Sequence, residues 1–384
     1  MKIVDVCAFY SPQGGGVRTY IEQKLRIGPE LGHEIVVIVP GETRSTVDRG
    51  AGARIISLPS PRFPLDRKYG YFADETVLHA ALDAEMPDVV EVSSPWRSPS
   101  MVARWHGRAR RSLVMHADPL SAYAYRWFEP MLSRPSIDRS FERYWEHLRH
   151  LGQAFDMTVC ANHDLAGRLR DGGVARVRVH PLGVETGVFS PQRRDPELRA
   201  RLLASCGLDE NARLLVAAGR LAPEKRWPMV VDAVAAASLH TPVGLVLFGE
   251  GRERRSIRSA IGGNPHVRLF KPERDRVAFA AILASADAVV HGCEAETFCM
   301  VGAEARASGT AVIVPDSGGA ADHAGGGAGF TYKAGNLFSL TSAIKTFCEQ
   351  PRYAQGASGV VSNVQHFAGL FADYGQVVRN PQAA

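Results

Sequence analysis

The sequence predicts an α/β protein built from two doubly wound, parallel-sheet domains, and three observations support this fold class. Short apolar runs recur along the whole chain and alternate with stretches of helical periodicity, which is typical of parallel sheets. Many of these runs end in polar or glycine-containing loops. The chain has 384 residues, of which 45% are hydrophobic and 22% charged. It therefore exceeds the usual size of one domain and has enough apolar material for two cores.

The chain opens with a predicted strand, a glycine loop and a helix. Residues 2–9 are mostly apolar, residues 11–16 include three glycines, and apolar side chains then recur at helical spacing over residues 17–25. Glycines let the backbone approach a ligand closely and point amides at it, so Gly15 and Gly16 are candidate contacts. The triplet is a weak motif by itself, for which a flexible turn is normally the preferred explanation.

The N-terminal half contains further buried strands, and a histidine follows one of them. We predict these strands at residues 34–40, 54–58, 87–93, 112–116 and 155–160, with another beginning at residue 177. Ligands of parallel sheets bind beyond the carboxyl ends of the strands, where His116 is expected. A histidine at a strand end is more often a packing or capping residue, so both readings stay open at this point.

Three loops of the C-terminal half carry candidate ligand contacts. A strand starting at residue 214 is followed by Arg220 and Lys225, and a guanidinium and an ammonium group can together bind phosphate oxygens. The strand at 243–248 ends in Gly249-Glu-Gly251, and the strand at 267–271 ends at Lys271. Surface charge and ordinary turns are the alternative explanation for each loop taken alone.

The most informative stretch covers residues 289–309 and predicts a strand, a loop and a helix that ends at a glycine. Glu296 precedes the helix and Glu304 lies about one turn inside it, so both carboxylates can face one ligand. The helix N-terminus offers amides for an anion, namely those of Thr297, Phe298, Cys299 and Met300. This arrangement suits a sugar attached to a phosphate. The alternative is a helix-dipole partner and an exposed helix carboxylate.

This stretch resembles the retaining nucleotide-sugar glycosyltransferases of family 4, whose signature is two glutamates separated by seven residues. Here the signature spans residues 296–304, and an Ala-Ser-Gly-Thr run and the pair Gly318-Gly319 follow it. The resemblance implies the GT-B architecture, in which two Rossmann-like domains face each other across a cleft. It places an acceptor-side domain at 1–185, a nucleotide-sugar-binding domain at 186–360 and, at 361–384, a helix that crosses back to the first domain.

The resemblance also implies a role for each candidate residue. Glu296 would hold hydroxyls of the transferred sugar, Glu304 those of the nucleotide ribose, and His116 the donor sugar. The remaining candidates would contact the diphosphate or the nucleoside: Gly15, Gly16, Arg220, Lys225, Gly249, Gly251, Lys271, Thr297, Phe298, Cys299 and Met300.

Two of these candidates depart from the family pattern. Cys299 stands where relatives commonly have glycine, so its side chain must fit close to the phosphates while only its N–H is needed there. Lys271 stands where the family usually has a small residue, which leaves the base preference open.

The implied activity is retaining transfer of a hexose-type sugar from a nucleoside-diphosphate sugar to a hydroxyl acceptor. No Asp-x-Asp pair follows a predicted strand, so we expect no metal and no cofactor, with side-chain cations and helix amides neutralising the leaving group. The alternatives are phosphorolysis or epimerisation on the same scaffold, and a noncatalytic protein that only binds nucleotide sugars.

Charge and composition bear on partners and location. Residues 97–149 hold ten arginines and five acidic residues among many aromatic side chains, and this excess equals the net charge of +5. Such a segment could face an anionic membrane with a lipid-linked acceptor, whereas a solvated helix face is the plainer explanation. The sequence shows no signal peptide, no long apolar span and no paired cysteine spacing. We expect a cytoplasmic protein, peripheral at the inner face of the membrane if the segment docks there, with no nucleic-acid partner.

Overall fold

The computed structural model describes residues 1–10, 15–50, 52–63, 69–93, 95–129, 131–327, 329–351 and 359–380. The chain divides into two compact units. The first unit comprises Met1–Asp118, Trp127–Gly183 and Asn363–Ala384, and the second comprises Pro119–Arg126 and Val184–Ser362. The predicted domain boundary after residue 185 lies two residues beyond the division at Gly183, and the predicted C-terminal segment from 361 starts two residues before the return to the first unit.

The first unit contains an eight-stranded sheet in the order β3-β4-β2-β1-β5-β6-β7-β8. All neighbours are parallel except β3, which runs antiparallel to β4 at one edge. The inner strands are nearly continuous apolar runs because helices cover both faces of a parallel sheet. The strands are β1 (Lys2–Val6), β2 (Glu34–Gly41), β3 (Ser45–Asp48), β4 (Ala53–Pro59), β5 (Val89–Ser93), β6 (Arg110–Val114), β7 (Met157–Cys160) and β8 (Val177–Val179).

The helices of the first unit begin where side chains can satisfy free backbone amides. The Asp74 carboxylate accepts from the amides of Thr76 and Val77, and Asn162 accepts from the amide of Leu165. The helices are α1 (Gly16–Glu30), α2 (Glu75–Glu85), α3 (Arg97–Ala103), α4 (Arg126–Phe128), α5 (Arg134–Ser140), α6 (Glu142–Ala154), α7 (His163–Asp171) and α14 (Asn363–Arg379). A π-helical turn, Leu120–Tyr125, precedes α4 and belongs to the second unit.

The second unit contains a six-stranded, all-parallel sheet in the order β11-β10-β9-β12-β13-β14. Its strands are β9 (Arg213–Ala218), β10 (Val243–Phe248), β11 (Val267–Phe270), β12 (Ala288–Val290), β13 (Ala311–Pro315) and β14 (Gly329–Tyr332). Its helices are α8 (Pro196–Ser205), α9 (Trp227–Ser238), α10 (Arg254–Ile261), α11 (Arg276–Ser285), α12 (Met300–Ala307) and α13 (Leu337–Glu349). Two parallel-sheet α/β units confirm the predicted fold class.

Each unit has its own apolar core. In the first unit α14 contributes Phe367, Leu370 and Phe371 to a core shared with α1 and the sheet. In the second unit Trp227 of α9 is fully buried between the sheet and neighbouring side chains. Within the described part of the chain, no helix is long and apolar enough to cross a membrane.

Candidate active site

The strand order of the second unit determines where a ligand can bind. The chain proceeds outwards from β9 to β10 and β11, then returns to place β12 on the other side of β9. Ligands of doubly wound sheets bind beyond the carboxyl ends of strands at such a reversal. The loop after β9 carries Arg220 and Lys225, and the loop after β12 carries residues 291–299. The two loops predicted to bind phosphate and sugar are therefore neighbours.

The loop after β12 is held by close packing on the pair Gly318-Gly319. Gly318 has φ +72°, and a Cβ built on it would lie 2.0 Å from the Glu294 carbonyl oxygen. A Cβ on Gly319 would lie 2.6 Å from the Phe298 nitrogen, and the Gly319 amide donates to the Glu296 carbonyl at 2.7 Å. Any side chain at either glycine would displace the loop that carries Glu296.

Cys299 adopts the left-handed conformation at the start of α12, with φ +68° and ψ 71°. Glycine takes this conformation freely, whereas other residues adopt it at a cost of about 1–3 kcal/mol, so a glycine at this position would be less strained than the cysteine. The thiol is buried, and burial raises its pKa, so it is protonated at neutral pH. The first amides of a helix lack intrahelical acceptors, so those at the start of α12 are available to an anion, and their contact with a phosphate stays a prediction.

Glu296 accepts two hydrogen bonds on the same oxygen, Oε1. The Lys225 ammonium forms a short ion pair with it, and the His291 Nε2 atom lies 3.1 Å away. Burial alone would raise the pKa of Glu296, but the Lys225 charge and the His291 bond hold it well below its usual range. Burial would likewise lower the pKa of Lys225, whereas the Glu296 charge raises it. Both groups are therefore charged at neutral pH.

Glu304 belongs to a separate group of charges. Its Oε1 accepts from the Arg276 guanidinium at 3.1 Å, and the same guanidinium lies 3.6 Å from Glu185 and 4.7 Å over the Phe189 ring. Burial raises the pKa of Glu304 to about 7 although Arg276 opposes this shift. Unlike Glu296, this carboxyl group titrates near neutral pH.

The two carboxylates share one feature that matters for ligand binding. All hydrogen bonds from described residues reach Oε1 in each case, and Oε2 receives none from the described part of the chain. Each carboxylate is thus held in place by one oxygen while the other can accept a ligand hydroxyl. The structure does not place Glu296 and Glu304 in contact with each other.

Arg220 and Lys225 differ sharply in their surroundings. The Arg220 side chain is 79% exposed and pairs with Glu224 at 3.2 Å, while its carbonyl accepts from the Trp227 indole at 2.8 Å. Its backbone is therefore fixed and its guanidinium can still reach a ligand. The ammonium of Lys225, which was predicted to contact a diphosphate, forms an ion pair with Glu296. Lys271 is exposed just after β11.

The predicted glycine contacts divide into two kinds. A Cβ on Gly249 would lie 2.4 Å from the Gly219 carbonyl oxygen, and one on Gly251 would lie 2.4 Å from that of Leu221. These glycines are required for the packing of two loops, whatever else they contact. By contrast, a Cβ on Gly15 or Gly16 would meet no described atom within 4 Å. The preceding loop residues 11–14 lie outside the described residues.

His116 lies in the first unit, just after β6, at the predicted strand end. Its ring packs edge-on against Tyr20 with centroids 4.7 Å apart, and the residue is half-buried. Burial lowers its pKa to about 4, so the imidazole is neutral at pH 7.

Sequence reasoning missed two residues that hold the motif carboxylates, His291 and Arg276. His291 directly follows the apolar run of β12, which places a polar ring at the carboxyl end of a buried strand. Arg276 follows Asp275, whose carboxylate caps α11. The local sequence marks both positions as unusual, but it does not indicate which carboxylate each side chain contacts.

One group of potential metal ligands lies in this site. Ligand atoms of His291, Glu296 and Cys299 all lie within 4.8 Å of one another. The Lys225 ammonium already occupies the Glu296 oxygen, and the thiol is protonated, so the group does not suit a divalent cation. We assign no metal to it.

Comparisons with known families match most of the chain in two parts. The family described as "Glycosyl transferase 4-like domain" matches residues 15–183, and the family described as "Glycosyl transferases group 1" matches residues 199–358. The two matches correspond closely to the two predicted domains.

Similar curated proteins include two mycobacterial enzymes. A GDP-mannose-dependent alpha-mannosyltransferase of Mycobacterium tuberculosis is 29% identical over 331 residues, covering 84% of this chain and 81% of that protein. A GDP-mannose-dependent alpha-(1-6)-phosphatidylinositol dimannoside mannosyltransferase of the same species is 29% identical over 320 residues, covering 82% and 79%.

Solved structures share the fold at lower identity. A sucrose-phosphate synthase from Thermosynechococcus elongatus aligns with a TM-score of 0.73 at 17% identity, over 98% of both chains. An Anabaena protein solved with UDP and glucose aligns with a TM-score of 0.66 at 17% identity, over both entire chains.

Proposed function

This chain belongs to the family-4-type nucleotide-sugar glycosyltransferases, and from that premise we propose that it transfers mannose from GDP-mannose to a hydroxyl of a lipid-linked acceptor. We further propose that transfer retains the anomeric configuration and needs no divalent metal or cofactor. The choice of donor rests on five similar proteins, all of which are described as GDP-mannose-dependent. They are 25–29% identical to this chain over 82–84% of its length.

The proposed donor fits the charges of the second unit. The amides at the start of α12 bind the diphosphate, Arg220 reaches it from the neighbouring loop, and Oε2 of Glu304 accepts from the ribose hydroxyls. Oε2 of Glu296 accepts from hydroxyls of the mannose. Lys225 contributes a positive charge beside the site while it holds Glu296.

Transfer forms a bond between the acceptor oxygen and the anomeric carbon, and breaks the bond between that carbon and the phosphate oxygen. The departing phosphate takes the acceptor's proton, so the proposal needs no separate general base. Negative charge develops on the diphosphate, where fixed donors are most effective. Removing one such donor typically costs about 3–4 kcal/mol of transition-state stabilisation.

Thermal stability measured with a panel of nucleotides tests the donor assignment. We expect GDP-mannose and GDP to raise the melting temperature by several degrees, because a ligand at 100 times its Kd stabilises the folded state by about 2.7 kcal/mol. UDP-glucose and UDP serve as matched controls and should have much smaller effects. A larger shift with the uridine nucleotides would contradict the choice of donor.

Release of GDP from GDP-mannose distinguishes a transferase from the two alternatives that the sequence leaves open. Slow release without acceptor, stimulated by a lipid extract and accompanied by a mannosylated product, is expected. A binding protein would release none. An epimerase would convert the sugar nucleotide without releasing GDP, and a phosphorylase would require inorganic phosphate.

Activity is expected to persist in EDTA, because side-chain cations and helix amides neutralise the leaving group. GDP release should remain within about twofold when metal is chelated, since the contacts worth several kcal/mol come from the protein itself. Activity that EDTA abolishes and Mg²⁺ or Mn²⁺ restores would contradict this expectation.

The lipid-linked acceptor motivates a closer look at the Arg-rich segment 97–149. Several of its arginines are already paired with carboxylates, among them Arg104 with Glu75 and Arg110 with Asp156. The net positive charge offered to a membrane is therefore smaller than the residue count indicates. The same segment exposes large apolar side chains instead: Trp127 (56%), Phe128 (37%), Met131 (75%) and Leu132 (46%). We call these four residues the apolar segment.

We propose that the apolar segment inserts into the interface of an anionic membrane, with the net positive charge of residues 97–149 adding electrostatic attraction. The triple change Trp127→Ser, Met131→Ser and Leu132→Ser should lower partitioning onto anionic vesicles at least tenfold, because each buried apolar side chain contributes about 1.5–3 kcal/mol. Phe338→Ser is the matched control, since Phe338 is 84% exposed in the second unit. Sedimentation measures both variants. Equal partitioning of wild-type protein onto neutral and anionic vesicles would remove the electrostatic part of the proposal.

A further inference from the structure

His291 occupies a defined place in the candidate site. It follows β12 directly, its amide donates to the Ile313 carbonyl at 2.9 Å, and its carbonyl accepts from the Tyr332 hydroxyl at 2.8 Å. The residue is 1% exposed, and its ring packs edge-on against Trp227 with centroids 5.8 Å apart. Backbone and ring are thus both fixed before any ligand binds.

The two ring nitrogens have different surroundings, and this difference defines the tautomer. Nε2 lies 3.1 Å from Oε1 of Glu296, which is ionised and can only accept a hydrogen bond. Nδ1 is buried and has no hydrogen-bond partner among the described residues. Burial, together with the nearby Lys225 charge, lowers the pKa of His291, so the ring carries one proton. That proton resides on Nε2, because an Nδ1–H would be buried without an acceptor.

Lys225 and His291 therefore donate to the same oxygen of Glu296 but constrain it differently. The ammonium is a point charge that accepts many orientations of its partner, whereas the rigid ring supplies one direction. Together they fix Oε1, and Oε2 remains for a ligand hydroxyl. Catalytic groups held by a fixed ring keep the geometry that a charge alone does not impose.

We propose that His291 is a positioning residue that orients Glu296 toward the transferred sugar, an inference that rests on the proposed function. It acts through Glu296 and does not touch the nucleotide. Loss of the Nε2–H donor should therefore affect the sugar-dependent step and leave nucleotide binding alone. A residue that only filled space would instead change stability and nucleotide affinity together.

The variants His291→Phe and His291→Gln test the proposal. Phenylalanine preserves the ring without a donor, and glutamine places an N–H donor at a similar distance from the backbone. We expect His291→Phe to lower kcat for GDP release from GDP-mannose at least tenfold, as loss of a hydrogen bond to a charged group would predict. The Kd for GDP should stay within twofold, and His291→Gln should recover at least half of the lost activity. Equal losses in both variants, or a parallel loss of GDP affinity, would overturn the proposal.

A second measurement keeps the inference separate from the proposed function. If wild-type protein releases no GDP from GDP-mannose, the proposed function fails and the kinetic comparison is replaced by crystal structures of the unliganded proteins. The Glu296 carboxylate is expected to rotate away from its wild-type position in His291→Phe and to keep it in His291→Gln. An unmoved carboxylate in His291→Phe would overturn the positioning role whatever the activity.

Discussion

Replacing Glu296 by glutamine is expected to lower kcat/KM for GDP-mannose by about 10- to 150-fold while leaving the affinity for GDP nearly unchanged. A charge-assisted hydrogen bond contributes about 1.5–3 kcal/mol, and the bond proposed for Glu296 goes to a sugar that free GDP lacks. Part of the loss should appear in kcat if the contact tightens as the sugar flattens toward the transition state. Glutamine keeps the side-chain volume, so the ammonium of Lys225 still meets an oxygen in the variant.

Glu304→Gln is the matched comparison. The ribose contact proposed for Glu304 would be made by GDP and GDP-mannose alike, so both ligands should weaken by similar factors, as measured by calorimetry. Burial raises the pKa of Glu304 to about 7, and the carboxylate is the better acceptor of ribose hydroxyls. Wild-type affinity for GDP-mannose should therefore increase between pH 6 and 8, and this increase should disappear in Glu304→Gln. The assignment of roles is wrong if Glu296→Gln loses GDP affinity as badly as Glu304→Gln does.

The sequence predicted the parts of this site that depend on local patterns. The apolar run, polar loop and helix around Glu296 and Glu304 are present as β12, the following loop and α12, and the seven-residue spacing puts Glu304 just over one turn into the helix. Most strands of both sheets follow from apolar runs, whereas β3 at one edge is exposed and gave no such signal. Local periodicity and spacing were sufficient because each feature is contained within about twenty residues.

The contacts across the fold could not be predicted in the same way. Glu296 and its partner Lys225 are 71 residues apart, and Arg276 and Glu304 are 28 apart on different helices. Nothing local specifies such pairs. The left-handed conformation of Cys299 could not be predicted either, because a cysteine does not indicate a positive φ. The sequence predicted Gly249 as a ligand contact but did not show that the packing of two loops requires a glycine there.

The first unit contains a second group of buried charges, which the sequence analysis did not predict. Asp5 and Glu91 interrupt apolar strands, and Lys24 lies on the helix face that also carries Tyr20 and Ile21. All three charged side chains are fully buried. They lie at the reversal in strand order between β1 and β5, the counterpart of the β9–β12 reversal in the second unit.

The geometry of this group shows how one cation satisfies two carboxylates. The Lys24 ammonium lies 2.7 Å from Asp5, contacts Glu91, and sits 4.9 Å over the ring of Tyr20. The hydroxyl of Tyr374, on α14, donates to the other Glu91 oxygen at 2.7 Å. Burial raises the pKa of Asp5 to about 7. Burial would also raise the pKa of Glu91, but the Lys24 charge and the hydrogen bonds from Lys24 and Tyr374 together lower it.

Lys24→Met is expected to lower the free energy of unfolding by about 3–5 kcal/mol at pH 8, because it leaves two buried carboxylates without a cation. Methionine has a similar length and no charge, so little packing is lost. Lys2→Met is the matched control. The Lys2 side chain also pairs with two carboxylates, those of Glu34 and Glu85, but it is 22% exposed. A partly exposed ion pair contributes at most about 1 kcal/mol to the free energy of unfolding. Urea unfolding followed by circular dichroism measures both variants.

The pH dependence of the stability lost in Lys24→Met identifies the cause of the loss. Without Lys24, burial and mutual repulsion raise the folded-state pKa of Asp5 and Glu91 above their unfolded values, so the folded variant binds more protons than the unfolded chain. Its stability then falls as pH rises, and the deficit relative to wild type should shrink between pH 8 and pH 5. The other titratable groups that interact with the cluster are Cys7, Tyr20, Tyr374, His116 and His366, and the pKa values of all five are shifted away from this range. A deficit that stays constant across this range would assign the loss to packing, and the buried charges would then not be its cause.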